Sequence, residues 1–110
     1  MKAKIKPRIQ LNGRESLVDA IPLSTPWVIF VDPSDVCNFK CKFCPTGNID
    51  LMKKVGRSLK VMDFKLYKKI IDDIYKFDKP IKVLRLYKDG EPLLNPNFAK
   101  MVKYAKDSGC

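Results

Sequence analysis

The chain of 110 residues is 45% hydrophobic and 31% charged, and carries a formal net charge of +10. That length suits one small domain with a core. No apolar run approaches the roughly 18 residues of a membrane helix, so no helical span and no membrane partner are expected.

The N-terminus, Met1-Lys2-Ala3-Lys4-Ile5-Lys6, has the basic start of a signal peptide but not its apolar middle, since Pro7, Arg8, Gln10 and Asn12 interrupt at once. A cytoplasmic protein in a reducing compartment is expected. Residues 1–20 read as an arm, turned at Asn12-Gly13, with a short helix between Glu15 and Ala20 that stops before Pro22. Pro22 and Pro26 bracket a polar link. Trp27-Val28-Ile29-Phe30-Val31 then reads as a short strand buried on both faces, because it is apolar at every position and rich in β-branched and aromatic residues. Asp32-Pro33 ends it. A loop over residues 32–60 follows, irregular from Thr46 to Lys60, and long connections of this kind are often functional. Asp63 is placed to cap a helix. The apolar residues Phe64, Tyr67, Ile70, Ile71, Ile74 and Phe77 recur at steps of three and four, giving one greasy face. That helix should end near Phe77, before Pro80. A second strand is expected from Ile81 to Tyr87. Asn95-Pro96 reads as a cap and first helical residue, with Phe98, Met101, Val102 and Ala105 as the buried stripe and Gly109 as the stop.

This order is βαβα, so the fold class is α/β with parallel strands and a right-handed crossover. Two strands and two helices cannot close a sheet or cover both its faces. The expectation is therefore the N-terminal part of a larger α/β barrel, truncated, with residues 1–20 as an arm and 21–110 as the first part of the barrel. Apolar surface left uncovered in this way is expected to make the chain self-associate.

The chemistry concentrates in Cys37-Asn38-Phe39-Lys40-Cys41-Lys42-Phe43-Cys44-Pro45, a C-x3-C-x2-C run directly after the first strand. The C-terminal end of a strand is where α/β folds carry their active sites. Thiolates are the ligands that iron–sulfur clusters and zinc prefer. Structural zinc takes four Cys or His ligands. The chain has no histidine, and Cys110 is the one other thiol. A disulfide framework fits poorly with a reducing compartment. Three thiolates are one short of the usual four, and a cluster held by three protein ligands keeps one iron open.

The run resembles the signature of the radical S-adenosylmethionine (SAM) superfamily, including the aromatic Phe43 before the third cysteine. The resemblance covers roughly residues 27–110. It implies a 4Fe–4S cluster on Cys37, Cys41 and Cys44, with the open iron chelating the amino and carboxylate groups of SAM. It also implies reductive cleavage to a 5′-deoxyadenosyl radical that abstracts hydrogen from a substrate. The fold it implies is a partial (β/α)6 barrel of the TIM type. Its partners would be an electron donor such as a ferredoxin or flavodoxin, and a peptide or small-molecule substrate. Gly90-Glu91-Pro92, after the second strand, resembles the family's G-G-E-P element, which hydrogen-bonds the amino group of SAM. Asp89 stands where the family has its first glycine. The carboxylate of Glu91 can accept from an amine, and Gly90 lets backbone come close. Taken alone, the same residues read as a turn. Phe43 is either a core residue or, by the resemblance, the backbone contact to adenine. Lys40 and Lys42 either offset an anionic cluster or point to solvent.

A different class of protein, a non-catalytic basic iron–sulfur or zinc module that binds nucleic acid, would use the net positive charge. Apart from a modest cluster at Lys2, Lys4, Lys6 and Arg8, the lysines are spread along the chain. The aromatic-interleaved basic patches of such a module are absent. The spread reads as a solvated surface.

Overall fold

The computed structural model describes residues 15–109. The turn at Asn12-Gly13, most of the N-terminal arm, the basic cluster at Lys2 to Arg8, and Cys110 lie outside the described residues. Among the described residues the chain is a small mixed α/β unit with four helices and one two-stranded parallel sheet. A short helix, α1 (Leu17–Ala20), precedes strand β1 (Val28–Phe30). Helices α2 (Ile49–Lys54) and α3 (Phe64–Ile74) lie between β1 and strand β2 (Val83–Arg85), and α4 (Phe98–Asp107) follows β2. None of these helices is long and apolar enough to cross a membrane.

The register pairs Val28 with Val83, Ile29 with Leu84 and Phe30 with Arg85. Hydrogen bonds extend the ladder at both ends. The N–H groups of Lys82 and Val83 donate to the Trp27 carbonyl at 3.0 Å each, and the Val31 N–H donates to the Arg85 carbonyl at 2.9 Å.

Helix α3 forms where capping and periodicity agree. The Asp63 carboxylate accepts from the N–H groups of Lys65 (2.8 Å) and Leu66 (3.3 Å). The apolar stripe buries Tyr67, Ile71 and Ile74 against Met101 and Ala105 of α4 and against Val31. Burial of each large side chain in that cluster contributes about 1.5–3 kcal/mol. The helix ends at Ile74, earlier than the greasy stripe suggests, and Phe77 lies outside it, 40% exposed. Gly109, at φ 102, stops α4 as expected.

Four expectations are corrected. The first strand is not buried on both faces. Ile29 and Leu84 pack on the core, while Val28, Phe30, Val83 and Tyr87 are 40–49% exposed on the open face. Alternation along a strand sends successive side chains to opposite faces, and both long helices lie on one side. The stretch from Thr46 to Lys60 is not irregular throughout, since it holds α2 and a 3₁₀ turn over Pro45–Gly47. Asn48 caps α2, accepting from the Leu51 N–H at 3.0 Å, and Met52 is buried beneath it. Helix α4 starts at Phe98 rather than at Pro96, although Asn95 Oδ1 accepts from the Asn97 N–H ahead of it, at 2.9 Å. In the stripe of α4, Val102 is 39% exposed, and Tyr104 packs on the core in its place.

Candidate functional site

Parallel strands send both of their following loops out from one end of the sheet. The loop after β1 carries the three cysteines, and the loop after β2 carries Asp89-Gly90-Glu91. Three sets of contacts fasten the two loops together. The Asp32 carboxylate, just past β1, accepts through Oδ2 from the N–H groups of Asp89 (2.8 Å) and Gly90 (3.3 Å). The Glu91 N–H donates at 2.8 Å to the carbonyl of Val36, the residue immediately before Cys37. Arg57 forms an ion pair with Asp35 and lies 3.7 Å from the Asp89 carboxylate.

Gly90 is required by this packing. A Cβ there would lie 1.7 Å from the Ser34 carbonyl oxygen and 3.0 Å from that of Val36. The glycine therefore lets the second loop close on the first loop's backbone.

Asp35 organises the return of the cysteine loop. Its carboxylate accepts from Ser58 Oγ (2.8 Å) and the Leu59 N–H (3.2 Å), and its own N–H donates to the Lys60 carbonyl (2.8 Å). Asn95, 2% exposed, locks the base of both loops. Its Nδ2 donates to the carbonyls of Pro33 (2.8 Å) and Met62 (2.9 Å), and its Oδ1 accepts from the Asn97 N–H (2.9 Å). Asp32, Asp35, Arg57 and Asn95 were not legible as site residues from sequence, because their partners lie far away along the chain.

The cysteine loop also folds on itself. A Cβ on Gly47 would meet the Phe39 carbonyl oxygen at 2.1 Å, so the chain after the third cysteine lies against the chain after the first. The Cys44 N–H donates to the Cys41 carbonyl at 3.1 Å. Cys37 and Cys44 are half-buried, Cys41 is exposed, and all three are free thiols. An open cleft of about 840 Å³ runs between this loop and α2, lined in part by Cys41, Phe43, Cys44, Asn48 and Leu51. Phe43 is 92% exposed, so it is no core residue. Lys40 and Lys42 are exposed as well, and both line the same cleft.

The structure thus brings Gly90 and Glu91 against the residues leading into Cys37. It does not gather the three sulfurs: among the described residues no group of three Cys, Asp or Glu side chains is arranged to hold a metal ion. Glu91 is half-buried, and its Oε1 accepts from the Leu93 N–H at 3.1 Å, capping a 3₁₀ turn over Pro92–Leu94. Pro92 opens that turn and is half-buried. Comparison with protein-family models, with curated proteins and with solved structures finds no match to the chain.

Proposed function

We propose that this chain carries the cluster loop and the SAM-binding loop of a radical SAM enzyme, on the first βαβα units of a partial (β/α)6 barrel. The observation that carries the reading is the fastening of the three-thiol loop to the Gly90-Glu91 loop at one end of a parallel strand pair. Cys37, Cys41 and Cys44 would hold a 4Fe–4S cluster. The donor chemistry fits: three free thiols sit on one loop beside an open cleft, with no disulfide to break. Metal binding is coupled to folding, and on this reading binding the cluster gathers the three sulfurs. Bound there and reduced, such a cluster would supply the electron for reductive cleavage of SAM.

The chain's own residues do the positioning. Glu91 presents a carboxylate to the amino group of SAM, and its backbone is tied to the residue before Cys37. Gly90 lets that loop close, and Pro92 fixes the turn behind it. Phe43, exposed at the cleft, has backbone free to meet the adenine. Asp89, which stands where the family has a glycine, uses its N–H to reach Asp32 and its carboxylate to face Arg57. An electron donor of the ferredoxin or flavodoxin kind and a peptide or small-molecule substrate complete the reaction. The open sheet face at Val28, Phe30 and Val83 fits a barrel whose further strands belong to the same sheet.

The test is SAM affinity, followed by calorimetry or by the EPR spectrum of the reduced cluster. Glu91→Gln keeps a carbonyl oxygen to cap the Pro92 turn but loses the charge. Hydrogen bonds to charged groups contribute about 1.5–3 kcal/mol, so the variant should bind SAM about ten- to a hundredfold more weakly with its cluster intact. Unchanged affinity would reduce the Gly90-Glu91-Pro92 segment to an ordinary turn.

A further inference from the structure

Two arginines lie among the described residues, and they are used differently. Arg57 is paired with the carboxylates of Asp35 and Asp89. Arg85, the last residue of β2, has no carboxylate at ion-pair distance, although every Asp and Glu of the chain lies within the described residues. It is partly buried all the same. Its Cζ sits 5.4 Å from the Phe30 ring centroid, and its Nη1 donates to the Tyr87 hydroxyl at 3.0 Å. The rings of Phe30 and Tyr87 meet edge to face at 6.2 Å. Phe30 and Arg85 are register partners, so all three side chains occupy the open face of the sheet, at the end from which both loops leave.

A guanidinium that has lost part of its hydration without gaining a counter-charge is costly to keep. Here it is also oriented, by a hydroxyl on one side and a ring on another, with the rest of its N–H fork unused. We propose that Phe30, Arg85 and Tyr87 form an anchor for the carboxylate of the substrate, an organic monoanion with an apolar portion. The planar fork matches a carboxylate through two parallel hydrogen bonds. A single positive charge balances one negative charge, whereas a phosphate dianion would leave excess charge in a partly desolvated site. The faces of Phe30 and Tyr87, with Val28 and Val83 beside them, take the apolar portion. The word substrate rests on the radical SAM reading; the anion site itself does not.

The experiment uses the ¹⁵N-labelled chain without iron or SAM, at a concentration where it is monomeric. The probes are 3-phenylpropionate, its neutral amide, phenyl phosphate and methionine, followed by NMR through the Arg85 side-chain Nε–H and the Val31 and Leu86 amides. 3-Phenylpropionate should give saturable shifts, with the neutral amide at least tenfold weaker. Arg85→Met should bring the carboxylate down to the level of the amide. Arg85→Lys, which keeps the charge but not the fork, should fall between. Tyr87→Phe, which removes only the hydroxyl that orients the fork, should weaken binding severalfold without disturbing the fold. Equal binding of acid and amide, or an Arg85→Met variant that binds the acid normally, overturns the anchor. Tighter binding of phenyl phosphate overturns the choice of carboxylate, and preferred binding of methionine assigns the site to the cofactor's carboxylate instead. Every arm is read without cluster or SAM, so failure here leaves the SAM reading standing, and failure of SAM binding leaves this site standing.

Discussion

Replacing Gly90 by alanine adds one methyl group, and the geometry says where that group goes. The new Cβ falls 1.7 Å from the Ser34 carbonyl oxygen and 2.5 Å from its carbon. Ordinary contact needs about 3.5 Å, so the two loops must part by about 1.8 Å. The obstacle is backbone, which no rotamer change relieves. Parting the loops breaks the 2.8 Å bond from the Glu91 N–H to Val36 and weakens both N–H donations to Asp32. A neutral hydrogen bond contributes about 0.5–1.5 kcal/mol and one to a charged group about 1.5–3, so the expected loss is about 2–5 kcal/mol. That is a large share of a typical 5–15 kcal/mol. Gly56→Ala is the control. Gly56 has φ +76 and nothing within 4 Å of the added atom, so only left-handed strain of about 1–2 kcal/mol applies. Urea denaturation followed by circular dichroism measures both variants, in protein without iron or SAM. If Gly90→Ala lost no more than Gly56→Ala, the close approach of the two loops would be wrong, and the glycine would answer to a ligand instead.

Asn95→Ala removes three hydrogen bonds made by a buried side chain and should lower unfolding free energy by about 2–4 kcal/mol in the same assay; a loss under about 1 kcal/mol would mean Asn95 does not lock the loops. The Asp73 carboxyl is held down to about 2 by hydrogen bonds from Lys69 and Lys76. Because its value in the folded chain lies below the ordinary 3.8, its stabilising contribution is present above that value and is lost as pH falls through about 2. Parent protein should therefore lose stability more steeply than Asp73→Asn on acidification below the ordinary value; parallel curves, or an NMR titration midpoint near the ordinary value, would contradict the pairing. The open sheet face should drive concentration-dependent self-association, read by sedimentation velocity and reduced by Phe30→Lys. A parent chain that stays monomeric at high concentration would show that the face is tolerated as it stands.

Local rules were legible in the sequence and long-range ones were not. Asp63 and the stripe from Phe64 to Ile74 announce α3 because cap and period agree. Helix α2 carries the same kind of signals, with Asn48 as cap, Lys53 and Lys54 in the last turn and Gly56 beyond it. It spans six residues, too few for a periodic pattern to stand out. The apolar run from Trp27 to Val31 could not say that only one face of its strand is covered, since that depends on where two helices dock. Asn95-Pro96 has the form of a helix start, and Asn95 Oδ1 does accept from the Asn97 N–H, but the Nδ2 donations to Pro33 and Met62 left no sign in the sequence. The cysteines are readable as donors from residue type and spacing. What fastens their loop, Asp32 to Gly90 and Asp35 to Arg57, joins residues distant in the chain. Such pairs leave no periodic trace.

The central claim is that three thiols on one loop hold an iron–sulfur cluster with an open iron. Its most direct test is anaerobic reconstitution of the 110-residue chain, with iron, sulfide and zinc counted per chain. About four irons and four sulfides are expected, with uptake lost in each of Cys37→Ala, Cys41→Ala and Cys44→Ala and retained in Cys110→Ala. Stoichiometric zinc in protein purified without oxygen, together with no uptake of iron, would contradict the account.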